Sequence, residues 1–340
     1  MNEPSISVVV VTWNHRPFLP SCLDALLDQA FPHFDVLVVD NASTDGSAGW
    51  LARSHPDLSL HVFPANRGFS AALNWGIDHT RGDWVLSLNP DVVPRPGFLR
   101  EMVRAAQRAA QRAAQRGDRT GMVAPKLLRA DDPALLDSTG LFIRRSRSPY
   151  DRGQGEPDEG QYDAHPFVFG ACGAAALYRR EMLEDLAIDG EIFDEGFFAY
   201  YEDADLAWRA QQRGWQGVYA PQAVATHVRG WGDTLRRRGH ARKDPRGPRL
   251  ALRNRHLMCV KNDTWRHLLV DLPRILAAEL PRTAYAAVTM PSILLGWLDL
   301  LRQWPQAVKK RRRIRGRRTV PDAQVRRWFT APHIAAEGET

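Results

Sequence analysis

The chain has 340 residues, 44% of them hydrophobic and 25% charged, a length that suits one large α/β domain or two smaller ones. This composition excludes a collagen-like, disulfide-dense or wholly disordered protein. The formal net charge is +7, but acidic residues outnumber basic ones over 1–228, whereas a first basic block (229–255) and a second basic block (302–327) carry the excess. Only the two blocks are expected to need an anionic partner.

The beginning of the sequence and its cysteines predict a reducing compartment. The first residues lack a charged region followed by a long apolar stretch, so we expect no secretory signal. Cys22, Cys172 and Cys259 are far apart and odd in number, which argues against disulfides and against a structural zinc site. The longest uncharged apolar stretch, near 283–298, is shorter than the ~20 residues that span a bilayer. We therefore expect a cytoplasmic chain, either free or peripheral on the inner membrane face.

Strands and helices alternate over the first hundred residues. Short β-branched runs predict buried strands at 6–11, 34–39, 58–62 and 84–88, and helical spacing predicts helices at 20–29, 50–53 and 70–79. This alternation is typical of a parallel sheet with crossover helices, in which ligands bind at the carboxyl ends of the strands. Those ends carry the polar residues Thr12, Asn14, Asp40, Asn41, Asp45, Asn66, Arg67, Asn89 and Asp91.

The chemistry of these strand ends does not fit a dinucleotide cradle or a P-loop, because neither glycine-rich motif is present. Carboxylates there can instead accept hydrogen bonds from a nucleobase or ribose, or hold a divalent cation. Asp91 is the better metal candidate, because it follows a buried strand and a stiffening proline and hard cations take oxygen ligands together with substrate phosphates. Asp45 is better explained as a turn or helix-capping residue.

A second cluster of carboxylates follows five aromatic residues within 193–209. A helix that begins near Glu202 would hold Glu202, Asp203 and Asp205 in its first turn, beside the positive end of the helix dipole. Capping alone explains such a turn, but a carboxylate beside apolar walls can also act as a base, because its surroundings adjust its pKa. We expect Asp205 and Arg209 to pair at i, i+4 and to stabilise the helix.

Small residues and one histidine leave two interpretations open. The glycines of 167–176 would let a sugar or phosphate approach the backbone, or they would let a strand pack tightly under a helix. Cys172 has little support as a nucleophile, because no histidine is placed to activate it. His227 ends a predicted strand, where it is either structural or at the rim of a metal or pyrophosphate site.

Taken together, the segments resemble the inverting family 2 glycosyltransferases with the GT-A fold, in the bacterial rhamnosyltransferase-like branch. The matching segments, which follow the family's order, are SVVVVTWN (7–14), VVDNASTDGS (38–47), NRGFSAALNWGI (66–77), LSLNPDV (86–92), FGACGAAALYRR (169–180) and FDEGFFAYYEDADLAWRAQQRGW (193–215). The resemblance implies an α/β fold with a Rossmann-like, mostly parallel sheet flanked by helices. It implies a catalytic domain over 1–235, with a nucleotide-sugar half (1–95) and an acceptor half (120–235). A basic and apolar helical C-terminal extension (236–330) would follow.

The resemblance also implies roles for particular residues. Asp203 would be the catalytic base, with Glu202 beside it. Asp91 is the last residue of the metal-binding motif, which here reads Asn89-Pro90-Asp91, and would hold Mg²⁺ or Mn²⁺. His227 would face the metal or the phosphate. The implied nucleotide and sugar-donor contacts are Thr12, Asn14, Asp40, Asn66, Arg67, Asn89 and Asp91. The implied acceptor contacts are Gly170, Ala171, Cys172, Gly173, Tyr201 and Trp208.

The expected reaction is an inverting in-line displacement that moves a sugar from deoxythymidine-diphosphate-rhamnose (dTDP-rhamnose) or a uridine-diphosphate sugar to a hydroxyl of a cell-surface glycan or lipid-linked acceptor. Two alternatives use related folds: a catalytically silent sugar-binding domain and a nucleotidyltransferase. A nucleic-acid binder would use the basic runs 236–238 and 309–318 on phosphates. The acidic body opposes this third alternative, so we expect no nucleic-acid partner.

The apolar helical segments of 267–301 have two interpretations. They form either an appendage packed on the catalytic domain or an amphipathic hairpin on the inner membrane face, assisted by the arginines that follow.

Overall fold

A computed structural model of the chain describes residues 4–114, 119–228 and 246–329. The predicted boundary at 235, the basic run 236–238 and most of the first basic block lie outside the described residues.

The first hundred residues form the predicted parallel half of a sheet. Its strands are β1 (Ile6–Thr12), β2 (Phe34–Asp40), β3 (Ser59–Val62) and β4 (Trp84–Leu88), and its helices are α1 (Leu19–Leu27), α2 (Ser47–Ser54) and α3 (Phe69–Asp78). The strands lie in the order β3-β2-β1-β4, all parallel. Every residue of β1 is buried, as its β-branched sequence predicts for a strand covered on both faces. The predicted strands and helices are thus confirmed in this half.

Beyond β4 the sheet becomes mixed. The elements are β5 (Val92–Pro94), α4 (Phe98–Ala114), β6 (Arg119–Arg129), β7 (Leu136–Ser138), β8 (Leu141–Ile143), β9 (Pro149–Asp151), β10 (Phe167–Val168), β11 (Ala175–Arg179), α5 (Arg180–Leu186), α6 (Glu202–Gln212) and β12 (Trp215–His227). Over the described residues the sheet has ten strands, with β11 antiparallel between β4 and β6, and β12 parallel to β6. Because β12 also pairs with β5, the end of β12 meets the loop that follows β4. This pairing brings His227 beside Val92 and the preceding Asp91.

The C-terminal extension contains α7 (Arg246–Asn262), α8 (Trp265–Thr289), α9 (Leu295–Gly316) and α10 (Asp322–Arg326). Helix α7 packs against α6 and α9. The Asn254 side chain of α7 donates hydrogen bonds to the carbonyls of Phe197, Ala199 and Tyr200. The extension therefore holds the loop that leads into α6.

Part of the second basic block pairs with the acidic body of the same chain. Lys310 Nζ lies 2.7 Å from both Glu191 and Asp194, and Arg317 donates to the carbonyls of Asp185 and Ala187. The expectation that this block needs an external anionic partner is therefore wrong for these residues. These contacts hold the C-terminal half of α9 against the acidic body.

Within the described ranges, none of the helices combines the length and apolar character that crossing a bilayer requires.

Candidate active site

Two buried oxygens meet where β1 and β2 end. Thr12 and Asp40 are paired in register, and both residues are fully buried. Asp40 Oδ1 accepts a hydrogen bond from the Ser43 amide at 2.7 Å. Among the described residues, neither Asp40 Oδ2 nor Thr12 Oγ1 has a hydrogen-bond partner. Because buried polar atoms are almost always paired, these two are suited to the polar groups of a ligand.

The other predicted residues of this edge stabilise the loops around it. Asn14, with a φ of 56°, accepts a hydrogen bond from the Thr44 amide at 2.8 Å and so joins the β1 and β2 loops. Asn66 accepts from the Gly68 amide at 2.8 Å. Arg67 is exposed, and its guanidinium lies 5.1 Å from the centre of the Phe63 ring. Of these three side chains, that of Arg67 is the one most open to a ligand.

Asp45 fills the structural role that the sequence predicts for it. Its carboxylate accepts hydrogen bonds from the amide and hydroxyl of Ser47 and from the Arg16 amide.

The loop Asn89-Pro90-Asp91 lies between β11 and β12. The Asn89 amide donates to the carbonyl of Ala174 at 2.8 Å, and the Val228 amide donates to the carbonyl of Asp91 at 2.9 Å. The Asp91 side chain is buried, and its Oδ1 has no hydrogen-bond partner in the described part of the chain. Asp91 Oδ2 lies 3.7 Å from His227 Nε2.

His227 is held by a third residue that the sequence analysis missed. Its Nδ1 lies 2.7 Å from Asp137 Oδ2, and Asp137 is almost fully buried on β7. Burial alone would lower the pKa of His227, but the hydrogen bond with Asp137 and the negative charge of the nearby Asp91 raise it to about 9. The imidazole is therefore protonated at neutral pH and faces the Asp91 carboxylate as a cation. No local motif marks Asp137, which lies 90 residues from His227 in sequence.

The predicted helix start at Glu202 is confirmed, and it presents Asp203. Asp203 Oδ2 accepts a hydrogen bond from the Gly173 amide at 2.9 Å, and Oδ1 accepts one from the Ala204 amide at 2.7 Å. Burial raises the pKa of Asp203, and the two amides oppose that shift in part. A carboxylate with fixed orientation and a raised pKa has the properties of a general base. The predicted Asp205–Arg209 pair is also confirmed, at 3.0 Å.

Glu202 is more deeply buried than its neighbour. Its Oε2 has no hydrogen-bond partner within the described ranges, and burial, followed by the charge of Asp203, raises its pKa to about 8. Glu202 is therefore largely neutral at pH 7 and adds little negative charge beside Asp203.

The loop before α6 has a left-handed backbone. Phe198, Tyr200 and Tyr201 have φ values of 66°, 74° and 71°, a conformation that is costly for bulky residues and is found mostly at functional sites. The Asn254 hydrogen bonds described above hold this loop in place. Tyr200 is 53% exposed and Tyr201 is half-buried, so both can contact an acceptor.

The predicted acceptor contacts within 170–173 differ in what they touch. Cys172 and Gly173 are half-buried beside Asp203. A Cβ on Gly170 would lie 2.4 Å from the Ala207 side chain, and Ala171 is buried. These two residues follow the alternative interpretation, in which a strand packs tightly under a helix.

The prediction that Trp208 contacts the acceptor is wrong. Trp208 is only 2% exposed and packs against Phe329 with ring centres 5.0 Å apart. Because its side chain faces the core, it has no surface to offer an acceptor.

The fit of a divalent metal depends on Asp91. Across the described residues there is no group of three or more His, Cys, Asp or Glu side chains arranged to hold a metal. Mg²⁺ is commonly bound through one or two carboxylates together with substrate phosphates and water. The unpartnered Asp91 Oδ1 fits that mode of binding, and His227 Nε2 lies 3.7 Å from the other Asp91 oxygen.

Comparison with known proteins identifies a family for this chain. Residues 7–187 match the family model described as Glycosyl transferase family 2. N-acetylglucosaminyl-diphospho-decaprenol L-rhamnosyltransferase of Mycobacterium tuberculosis (strain H37Rv) is 30% identical over 246 residues, which cover 65% of this chain and 75% of the relative.

Two solved structures share the fold. Mannosyltransferase PcManGT of Pyrobaculum calidifontis, in complex with GDP-Man and Mn²⁺, has a TM-score of 0.51 at 20% identity and covers 93% of this chain and 86% of that one. S. aureus TarS 1–349, in complex with UDP-GlcNAc, has a TM-score of 0.55 at 18% identity and covers 92% of this chain and 83% of that one.

Proposed function

The chain belongs to glycosyl transferase family 2 and has the GT-A fold, and we propose that it transfers a sugar from a nucleotide-diphospho-sugar to an acceptor hydroxyl with inversion. The observation that carries the proposal is a short connection between two sites. The Gly173 amide donates a hydrogen bond to the Asp203 carboxylate. The carbonyl of the next residue, Ala174, accepts one from the amide of Asn89, in the Asn89-Pro90-Asp91 loop. A fixed carboxylate base thus lies close to a buried, unpartnered carboxylate oxygen.

The proposed reaction is a single displacement. Asp203 takes the proton of the acceptor hydroxyl, whose oxygen attacks the anomeric carbon while the bond from that carbon to the diphosphate breaks. The nucleoside diphosphate leaves with the bonding electron pair. Burial raises the pKa of Asp203, which makes it a stronger base than an exposed aspartate. A positioned base contributes roughly 10²–10⁴ in rate.

The departing diphosphate needs positive charge. We assign His227 to one of its oxygens, because Asp137 holds the ring and the raised pKa of His227 keeps the ring cationic. Asp91 is the residue that would hold Mg²⁺ or Mn²⁺, and a bound cation would neutralise the charge that develops on the leaving group. The Mn²⁺ in the PcManGT complex supports a divalent ion without deciding between the two.

We assign the nucleotide to the ends of β1 and β2. The unpartnered oxygens of Thr12 and Asp40 are suited to its base or ribose, with Arg67 nearby. In this arrangement residues 1–95 form the sugar-donor half and 120–235 the acceptor half of a catalytic domain. The M. tuberculosis L-rhamnosyltransferase supports rhamnose as the sugar and a lipid-linked saccharide as the acceptor. We propose dTDP-rhamnose as the donor, with a uridine-diphosphate sugar as the alternative.

The extension supports contact with a membrane surface. On α8, Asp271 and Glu279 face the protein, where Asp271 lies 2.8 Å from Arg147, and Glu279 pairs with Arg255. Another side of α8 is apolar and exposed: Leu269, Leu272, Leu276 and Leu280 are 38–67% exposed. An amphipathic helix whose apolar side faces outward is suited to the interface of a bilayer.

The charges on α8 fit the same partner. Arg266 and Arg274 are exposed on this helix, whereas Arg282 is paired with Glu279. Each arginine near an anionic membrane contributes about 1 kcal/mol. We propose that the outward face of α8 lies on an anionic bilayer and brings the active site to a lipid-linked acceptor.

The function is tested by transfer from a panel of nucleotide-sugars with Mn²⁺ or Mg²⁺, comparing the wild type with Asp203→Asn. We expect the variant to lose transfer by about 10²-fold or more while it binds the nucleotide-sugar with unchanged affinity. Transfer at the wild-type rate would exclude Asp203 as the base. A wild type that binds nucleotide-sugars but neither transfers nor hydrolyses them would support the silent sugar-binding domain. Release of pyrophosphate from a nucleoside triphosphate would support a nucleotidyltransferase.

A further inference from the structure

A cavity of about 480 Å³ lies among α7, α8 and α9. Its walls are mainly apolar and include Cys259, Trp265, Leu268, Trp297, Trp304 and Val308. The volume is within the range of pockets that bind small molecules, about 300–1,000 Å³. None of the residues assigned above to sugar transfer lines it.

Three arginines of α9 line the same cavity: Arg311, Arg312 and Arg315. Arg311 Nη1 donates to the carbonyl of Val260, but its Nη2 is buried and has no hydrogen-bond partner among the described residues. Arg312 and Arg315 are exposed and have no ion-pair partner in the described part of the chain. Burial, followed by the charge of Arg315, lowers the pKa of Arg311. An anion at this end would satisfy Arg311 and relieve the repulsion between the arginines.

We propose that this cavity binds a lipid phosphate, with its apolar chain between α7, α8 and α9 and its phosphate against Arg311, Arg312 and Arg315. Inorganic phosphate alone would leave the apolar part of the cavity empty, so it is not a sufficient ligand. A lipid chain without a charged group would leave Arg311 Nη2 unpaired.

The surroundings of the cavity fit a lipid as its occupant. Trp265 and Trp304, two of the lining residues, are 59% and 39% exposed, and tryptophan is enriched where proteins meet the membrane interface. Trp265 begins α8, and the exposed leucines of this helix follow it from Leu269 onward. A lipid from a bilayer under α8 and a lipid phosphate carrying a saccharide share the chemistry that this site recognises.

Calorimetric titration of the full chain with alkyl phosphates of four, six, eight and ten carbons, below their micellar concentrations, tests the proposal. Affinity should rise about fourfold with each added methylene until the cavity is full, the factor that corresponds to ~0.8 kcal/mol. Inorganic phosphate and decanol should each bind far more weakly than decyl phosphate. Affinity that does not depend on chain length, or equal binding of decanol, would overturn the proposal.

Paired variants separate the chain and phosphate contacts. Val308→Trp fills the cavity and should weaken decyl phosphate binding by at least about tenfold, the effect of losing two methylenes. Val288→Trp, at an exposed position of α8 outside the cavity, should leave it unchanged. Arg312→Ala with Arg315→Ala should weaken every alkyl phosphate and keep the chain-length increment, whereas Arg302→Ala with Lys309→Ala should do neither. Because the two cavity arginines are exposed, their replacement keeps the test valid if Val308→Trp fails to fold.

Two further measurements identify the source of the lipid and separate this proposal from the proposed function. If Val308→Trp also weakens binding to phosphatidylglycerol vesicles, the occupant is a bilayer lipid. If vesicle binding is kept while decyl phosphate binding is lost, the occupant is a lipid delivered singly. Both results support the site. Nucleotide-sugar affinity should be the same in all of these variants, so a failure of lipid binding leaves the assignment of the active site intact.

Discussion

The backbone amide of Gly173 donates a hydrogen bond of 2.9 Å to Oδ2 of Asp203. This bond joins the glycine-containing segment before β11 to the first turn of α6. The Ala204 amide holds the other carboxylate oxygen at 2.7 Å, so the carboxylate cannot rotate without losing a bond. The direction in which Asp203 accepts a proton is thus set by backbone atoms of two separate segments.

Gly173→Ala tests how closely that orientation matters. A Cβ at position 173 would lie 3.2 Å from Asp203 Oδ2, so the carboxylate must move by a few tenths of an ångström. We expect the rate of transfer to fall about tenfold, because small displacements of a catalytic group cost large factors in rate, while nucleotide-sugar affinity stays the same. Gly49→Ala in α2, whose Cβ would meet only the mobile end of Arg53, is the control. Equal rates in the two variants would show that the bond does not position the base.

Asp137→Asn tests the residue behind His227. The amide removes the negative charge that helps to raise the pKa of His227 and weakens the 2.7 Å bond that orients the ring. A hydrogen bond to a charged group is worth about 1.5–3 kcal/mol, so we expect nucleoside diphosphate to bind at least about tenfold more weakly. Calorimetry measures the affinity, with the exposed Asp132→Asn as the matched control. If both variants bind as the wild type does, His227 does not contact the diphosphate.

The parallel half of the fold and the positions of Asp91 and Asp203 could be predicted because their signals are local. A run of β-branched residues that ends in polar residues identifies a buried strand and its carboxyl end. An acidic first turn identifies the start of α6. Each of these patterns lies within about ten residues, so no knowledge of tertiary contacts is required.

Asp137 and Asn254 could not be predicted, because each acts through contacts far away in sequence. Asp137 reaches His227 only because β7 pairs with β6 and β6 with β12, and Asn254 reaches Tyr200 across 54 residues. The acceptor contact implied for Trp208 is wrong because an aromatic residue on a charged helix is typical both of a binding site and of a core. The external partner expected for the second basic block is wrong for Lys310, because a run of basic residues does not reveal the acidic partners that tertiary packing supplies.

Glu202→Gln should change how stability depends on pH. In the folded chain the pKa of Glu202 is raised to about 8 by burial and by Asp203. The protonated form is therefore favoured by folding, and its contribution to stability is complete below the ordinary glutamate pKa and is lost as the pH rises through 8. Between pH 5 and pH 8 the wild type should lose up to about 1.4 kcal/mol per pH unit relative to Glu202→Gln.

Urea unfolding at pH 5, 6.5 and 8 measures that difference. The exposed Glu181→Gln is the control and should follow the wild type at every pH. If the wild type and Glu202→Gln change in parallel, Glu202 does not stay protonated in the folded chain.

The outward apolar face of α8 leads to the last prediction. Leu269 and Leu280 are 67% and 64% exposed, so aspartate at both positions should leave the folded chain as stable as before. Each leucine that enters the bilayer interface contributes about 1.5–3 kcal/mol, so the double variant should bind phosphatidylglycerol vesicles at least about 100-fold more weakly. Flotation with vesicles measures the binding, and Val62→Asp, at an exposed apolar position on β3 of the catalytic body, is the control.

Since apolar contacts resist salt whereas arginine contacts do not, the wild type should remain partly bound at 1 M salt. A double variant that floats as the wild type does would contradict the assignment. So would a wild type that sediments as a dimer and becomes monomeric in the variant, because a second copy would then cover the leucines.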